Sequence, residues 1–164
     1  RYESADGEGE TGCQMIFGIG TDIIKISRIQ ATMERHPQRF VEKILGKDEQ
    51  LIYHQRAAQS QRRALLFLAT RFAAKEAFSK AIGLGVRHPM NWHSLQVLSA
   101  DLGRPQLCWH GELAAWMSSK NLSAHLSMSD EDEFAIAYVV VEQHTSVNDA
   151  CMSLSLGKSG SNHE

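Results

Sequence analysis

At 164 residues the chain suits one domain around a single core. A hydrophobic fraction of 43% is that of a soluble globular protein; no secretory signal opens the chain, and no apolar run nears the ~20 residues of a membrane span. The net charge of −2 argues against a general nucleic-acid binder, and Cys13, Cys108 and Cys151 show neither disulfide-framework nor metal spacing, which fits a reducing cytoplasm.

Residues 1–14 are acidic, Gly-rich and aperiodic, and are expected to be disordered. Met15–Ile19 reads as a strand that ends in Gly20-Thr21-Asp22. Ile26, Ile29 and Met33 keep helical spacing until His36-Pro37 breaks the helix. Phe40, Ile44 and Leu45 give a second short helix closed by Gly46, and Asp48 is placed to cap a third through about Ala58. The longest helix is expected over Ser60–Ile82, free of Gly and Pro and terminated by Gly83. Trp92–Ser99 and Gln106–Trp109 read as strands joined by a turn at Asp101–Pro105. A helix over Gly111–Asn121 follows. Ser123–Ser129 alternates like a strand, Asp130–Glu133 is a turn, and Phe134–Val141 is apolar enough to read as a buried strand. Residues 144–164 read as a second disordered tail. The expectation is an α+β domain over residues 15–143, with a small, mostly antiparallel sheet packed on one long helix plus short helices.

Charge is unevenly spread. Lys25–Arg87 holds thirteen Lys/Arg against five Asp/Glu, and the rest of the chain holds four against fourteen. A basic segment on a mildly acidic chain points to phosphates, an acidic protein surface or both, or else to solvated helix faces. Asp22 would project from a strand end after two glycines that let backbone approach a ligand, although an Asp after a turn is more often a helix cap. In the long helix Phe72, Glu76 and Lys80 share a face, and Arg71 and Lys75 form an adjacent basic stripe. Two carboxylates such as Asp22 and Glu76 suit Mg²⁺, which fills its octahedron with waters and phosphate oxygens, and a nearby lysine would offset phosphoryl charge. His125 shares a strand face with Ser127 and Ser129. Arg28, Arg35, Arg39 and Lys43 flank Met33, Phe40 and Ile44, a pattern that suits docking of an acidic amphipathic helix.

Four segments together resemble the holo-(acyl-carrier-protein) synthase family. They are Ile16–Ile24 with Arg28-Ile29 behind it, Arg71–Ala81 with Gly83 and Gly85, Gly103-Arg104-Pro105, and His125–Ser129 followed by Phe134–Ala137. They fall in family order across about Met15–Glu142, and the second is the most specific. The resemblance implies a 4′-phosphopantetheinyl transferase fold assembling as a trimer, with active sites in clefts between protomers. It implies transfer of 4′-phosphopantetheine from coenzyme A to a serine of apo acyl carrier protein. Asp22 and Glu76 would bind Mg²⁺ with the coenzyme A pyrophosphate, Lys80 would contact the phosphate under attack, and Arg71 and Lys75 would help hold coenzyme A phosphates. His125 would sit in the coenzyme A cleft. Arg28, Arg39 and Phe40 would meet the carrier protein. The general base stays open among Glu76, a metal-polarised water and His125.

Two features depart from the family pattern. Asp130-Glu131-Asp132-Glu133 beside a phosphate site would repel coenzyme A, so an outward turn is expected. Arg104 stands where Lys is common, which keeps the charge. The competing readings are a non-catalytic module that binds coenzyme A or carrier protein, and a trimerisation domain of a larger synthase.

Overall fold

The computed structural model describes residues 13–145. The chain opens with β1 (Cys13–Lys25) and continues into α1 (Ile26–Arg35). Pro37 then starts α2 (Pro37–Ile44) at its first position, where a missing N–H is harmless. Next comes α3 (Lys47–Gln59), with Asp48 and Glu49 in its first turn rather than at the cap. Its cap residue is Gly46, which has no side chain, and the Gln96 side-chain oxygen accepts from Asp48 N at 3.0 Å instead. The long α4 (Gln61–Ala81) begins at Ser60, whose hydroxyl accepts from Arg63 N.

β2 (Leu95–Ser99) starts later than expected, because the Asn91 side chain accepts from the N–H groups of His93 and Ser94 and folds residues 91–94 into a turn. β3 (Pro105–Trp109), α5 (Gly111–Ser119), β4 (Leu122–Asp130) and β5 (Phe134–Thr145) complete the order. There are two antiparallel sheets rather than one: β1-β5-β4 and β2-β3.

The larger sheet packs on α4 through backbone. Residues 18, 20, 22 and 24 of a strand share a face. A Cβ on Gly18 would stand 2.0 Å from the carbonyl oxygen of Ala81, and one on Gly20 would stand 2.0 Å from that of Ala77. The two glycines therefore do not end the strand; they let it lie against the helix, and Asp22 falls inside β1. Ala135, Ala137, Val139 and Val141 of β5 bury the same face. The core also takes Phe67, Leu68, Phe78, Ile44, Leu45, Met90, Leu95, Leu113 and Met117.

β5 is not buried on both faces. Ile136 and Tyr138 are exposed, as are Ile16, Ile19 and Ile23 on the neighbouring strand. Strand pairing also runs past the expected domain limits, since Cys13 pairs with Thr145 and Gln14 with His144. The rest of the two expected disordered tails, residues 1–12 and 146–164, lies outside the described residues. No helix among the described residues is long and apolar enough to cross a membrane.

Candidate active site

Period-two geometry puts Asp22 on the helix-facing side of β1, two residues beyond Gly20, and α4 presents Glu76 and Lys80 on one face. Lys80 Nζ donates to Asp22 Oδ1 at 2.7 Å and to the Thr21 carbonyl oxygen at 2.9 Å. The lysine side chain is half exposed and that of Asp22 is largely covered. Among the described residues one of the three ammonium donors is uncommitted. Glu76 is half-buried, and its pKa is raised, first by desolvation and then by the charge of Asp22, with Lys80 opposing. Strand and helix thus bring two carboxylates and a lysine together; helical spacing accounts for Glu76 beside Lys80, and the packing of β1 on α4 adds Asp22.

This donor set fits Mg²⁺. Among the described residues no group of three or more His, Cys, Asp or Glu side chains is arranged for a metal. A Mg²⁺ site on a phosphate substrate needs only one or two carboxylates, both hard oxygen donors. Desolvation raises the Glu76 pKa most and the charge of Asp22 adds to it; a divalent cation would relieve that second, like-charge part.

One turn before Glu76, Phe72 stacks on Trp92 at 5.3 Å between ring centroids and meets Phe40 of α2 at 6.4 Å. Arg28 and Arg39 are exposed on α1 and α2. Arg39 precedes Phe40 in α2, so the aromatic row runs from α2 to the turn of α4 before Glu76.

The basic stripe of Arg71 and Lys75 does not face solvent. Lys75 is fully buried, and its ammonium donates to Glu49 Oε2 at 2.6 Å, to the Ile44 carbonyl oxygen at 2.7 Å and to that of Trp92 at 2.8 Å. With all three donors committed, it has none left for coenzyme A phosphates. Burial lowers the Lys75 pKa, and Glu49 pushes it back up. Both partners are buried, so deleting one would cost about 3–5 kcal/mol. Arg71 is also buried: it donates to the Val97 carbonyl oxygen at 3.3 Å and stacks 3.8 Å from the centroid of the Phe67 ring. Burial lowers its pKa to about 10, with Glu49 opposing. Arg71 does keep an edge on a cavity of about 320 Å³ that Arg56, Arg63, Ser99 and Asp130 also line. Arg56 and Arg63 escaped the sequence reading, though both lie in the basic segment and their density there was the available signal.

His125 is not brought to Asp22. It pairs with Val140 and points to the open face of the sheet, whereas Asp22 pairs with Ala137 on the helix-facing side. Its side chain is 67% exposed, with Nε2 2.9 Å from Glu142 Oε2. It lines a groove with Arg104, Pro105 and Trp109. Glu131, Asp132 and Glu133 point outward as expected, and Arg62 donates to the Asp132 carbonyl oxygen at 2.9 Å. Asp130 departs from that expectation, since it reaches the arginine-lined cavity.

Comparison with known proteins identifies the family. Residues 18–139 match the model of the 4′-phosphopantetheinyl transferase superfamily. The chain is 54% identical over 129 residues to a holo-[acyl-carrier-protein] synthase of Cupriavidus necator, covering 79% of this chain and 92% of that one. The crystal structure of a holo-[acyl-carrier-protein] synthase from Neisseria meningitidis superposes with a TM-score of 0.71 at 37% identity, covering 77% of this chain and 98% of that chain. A holo-(acyl-carrier-protein) synthase from Bacillus anthracis, solved in complex with CoA (3′,5′-ADP), gives 0.66 at 36% identity, with coverage of 79% and 98%.

Proposed function

We propose that this chain, which belongs to the 4′-phosphopantetheinyl transferase superfamily, transfers 4′-phosphopantetheine from coenzyme A to a serine of apo acyl carrier protein. The observation that carries the reading is the meeting of Asp22, Glu76 and Lys80 where β1 crosses α4. A carrier serine oxygen would attack the β-phosphorus of coenzyme A. The bond from that phosphorus to the bridging pyrophosphate oxygen would break, and adenosine 3′,5′-bisphosphate would leave with its electron pair. Bound by Asp22 and Glu76, Mg²⁺ would orient the pyrophosphate and stabilise the leaving phosphate. Lys80, held in place by Asp22 and the Thr21 carbonyl, would offset charge on the transferred phosphoryl oxygens.

The serine proton needs an acceptor. Glu76 lies in this set and could accept it, as could a water if Mg²⁺ were held there; His125 lies on the opposite sheet face and would have to come from a neighbouring protomer. Arg56, Arg63 and Arg71 at their shared cavity suit a phosphate of coenzyme A, and His125 with Arg104 suits another part of it. Arg28, Arg39 and Phe40 would receive the acidic carrier surface.

The assembly proposed is a homotrimer. The exposed sheet face of Ile16, Ile19, Ile23, Ile136 and Tyr138 is a contiguous apolar surface of the kind that marks a protein contact. The setting proposed is the cytoplasm, and the role is supplying holo carrier protein for fatty acid biosynthesis. Release of adenosine 3′,5′-bisphosphate from coenzyme A that depends on both apo carrier protein and Mg²⁺ is the expected result. No release from a folded sample with several carrier proteins would favour a binding module instead.

A further inference from the structure

Glu76 must face β1 for the proposed site to exist, and the directional tie between β1 and α4, Lys80 to Asp22 and the Thr21 carbonyl oxygen, is itself part of that site. Gly18 and Gly20 meet the Ala81 and Ala77 carbonyl oxygens, so backbone lies against backbone. Ala73, Ala74, Ala77 and Ala81 are all buried and offer no long side chain to interlock with a groove. Small residues permit close approach but tolerate a turn of the helix about its axis. Restraint from outside the site comes from other sides of α4, from the core packing of Phe67, Leu68 and Phe78 and from one polar anchor.

The anchor is on the side that Lys75 faces. Consecutive helix residues sit about 100° apart, so an anchor on Lys75 also sets the direction of Glu76. The Lys75 ammonium is held by three acceptors from three parts of the fold: the end of α2 at Ile44, the Glu49 carboxylate on α3, and Trp92 ahead of β2. Glu49 is itself fixed, accepting from Gly46 N at 2.8 Å and Val97 N at 2.8 Å. One turn earlier Arg71 donates to the carbonyl oxygen of the same Val97. Such a directional polar anchor, fully shielded from water, specifies one rotation in a way that alanine packing cannot.

We propose that Glu49 and Lys75 form a positioning pair that locks the rotation of α4 and so aims Glu76 at Asp22 for cation binding. The inference rests on the reading of Asp22 and Glu76 as the Mg²⁺ site. Neither Glu49 nor Lys75 touches substrate; both act through Glu76.

The test compares Glu49→Gln with the double variant Glu49→Leu/Lys75→Met, at temperatures where each is folded by circular dichroism. The readouts are coenzyme A affinity by calorimetry in Mg²⁺ and in EDTA, the thermal midpoint, and the Mg²⁺ half-saturation of transfer. An apolar pair can recover the stability that one unpaired charge loses. The expected result is that the double variant regains thermal midpoint over the single one. Both should nevertheless lose the Mg²⁺-dependent gain in coenzyme A affinity by about tenfold or more, with the KM for carrier protein unchanged. Wild-type Mg²⁺ dependence in either folded variant would overturn the proposal and leave the pair a packing feature only. Glu49→Asp, which keeps the charge and shortens the arm, is the milder variant and carries the same two outcomes. A wild-type protein with no Mg²⁺-dependent binding or transfer would instead refute the reading of the metal site itself.

Discussion

A Cβ placed on Gly20 would stand 2.0 Å from the carbonyl oxygen of Ala77. Strand and helix are therefore as close as backbone allows, and Asp22, two residues further along the same strand face, inherits its position from that contact. Gly20→Ala has to push β1 off α4. The expected loss is about 1–3 kcal/mol, as for other overpacked cores, read as a lower midpoint in urea unfolding. The folded fraction should also need more Mg²⁺. An unchanged midpoint would mean that the strand can shift freely.

Glu76 combines the role proposed for it with a stability penalty. Its folded-state pKa is raised above the ordinary 4.5, chiefly by desolvation and then by Asp22. The folded state thus holds this proton to a higher pH than the unfolded state does. Without metal, ionised Glu76 destabilises the protein above its folded pKa, and stability is regained as pH falls through the window between that value and the unfolded one. Glu76→Gln should raise the thermal midpoint in EDTA at neutral pH, and the gain should vanish near the unfolded carboxylate pKa. Transfer in Mg²⁺ should fall by at least about a hundredfold. A lower midpoint for the variant at neutral pH would assign Glu76 a structural task instead.

Arg28 is exposed on α1, where it is proposed to meet an acidic partner. Arg28→Glu should raise the KM for carrier protein on the order of tenfold, leave coenzyme A affinity alone and weaken the salt dependence of the rate. Steady-state kinetics at two ionic strengths checks this. A change confined to coenzyme A would move Arg28 to the other substrate.

Ile19 is 51% exposed on the open sheet face, midway along the edge strand β1. Ile19→Glu would set a charge in the proposed trimer contact, so light scattering should report a smaller species and transfer should fall with it. If His125 acts across the contact, mixing Glu76→Ala and His125→Ala protomers under subunit exchange should restore activity that neither has alone. Full activity from an Ile19→Glu monomer would place the whole site within one chain.

The helices were readable because their signals are local. Ser60 caps α4, Gly83 ends it, and Pro37 separates α1 from α2. Glu76 and Lys80 were readable as neighbours because helical periodicity puts them on one face; that Asp22 belongs with them was implied by the family resemblance and not by any local pattern. What escaped depends on partners distant in the chain. Gly18 and Gly20 read as a turn, since nothing local reveals the helix 57 or more residues later that needs their missing side chains. Lys75 read as a surface cation, and its partner Glu49 lies 26 residues away on another helix. The apolar run of β5 read as burial on both faces, whereas within one chain alternate residues remain open.

The most direct test is the intact mass of a purified apo acyl carrier protein after incubation with this protein, coenzyme A and Mg²⁺, beside an EDTA control and the Lys80→Ala variant. The wild type should add one phosphopantetheine to the carrier, EDTA should abolish the gain, and Lys80→Ala should slow it strongly. An unmodified carrier with folded wild-type protein, or equal modification with and without EDTA, would contradict the reading of Asp22, Glu76 and Lys80 as a metal-dependent transfer site.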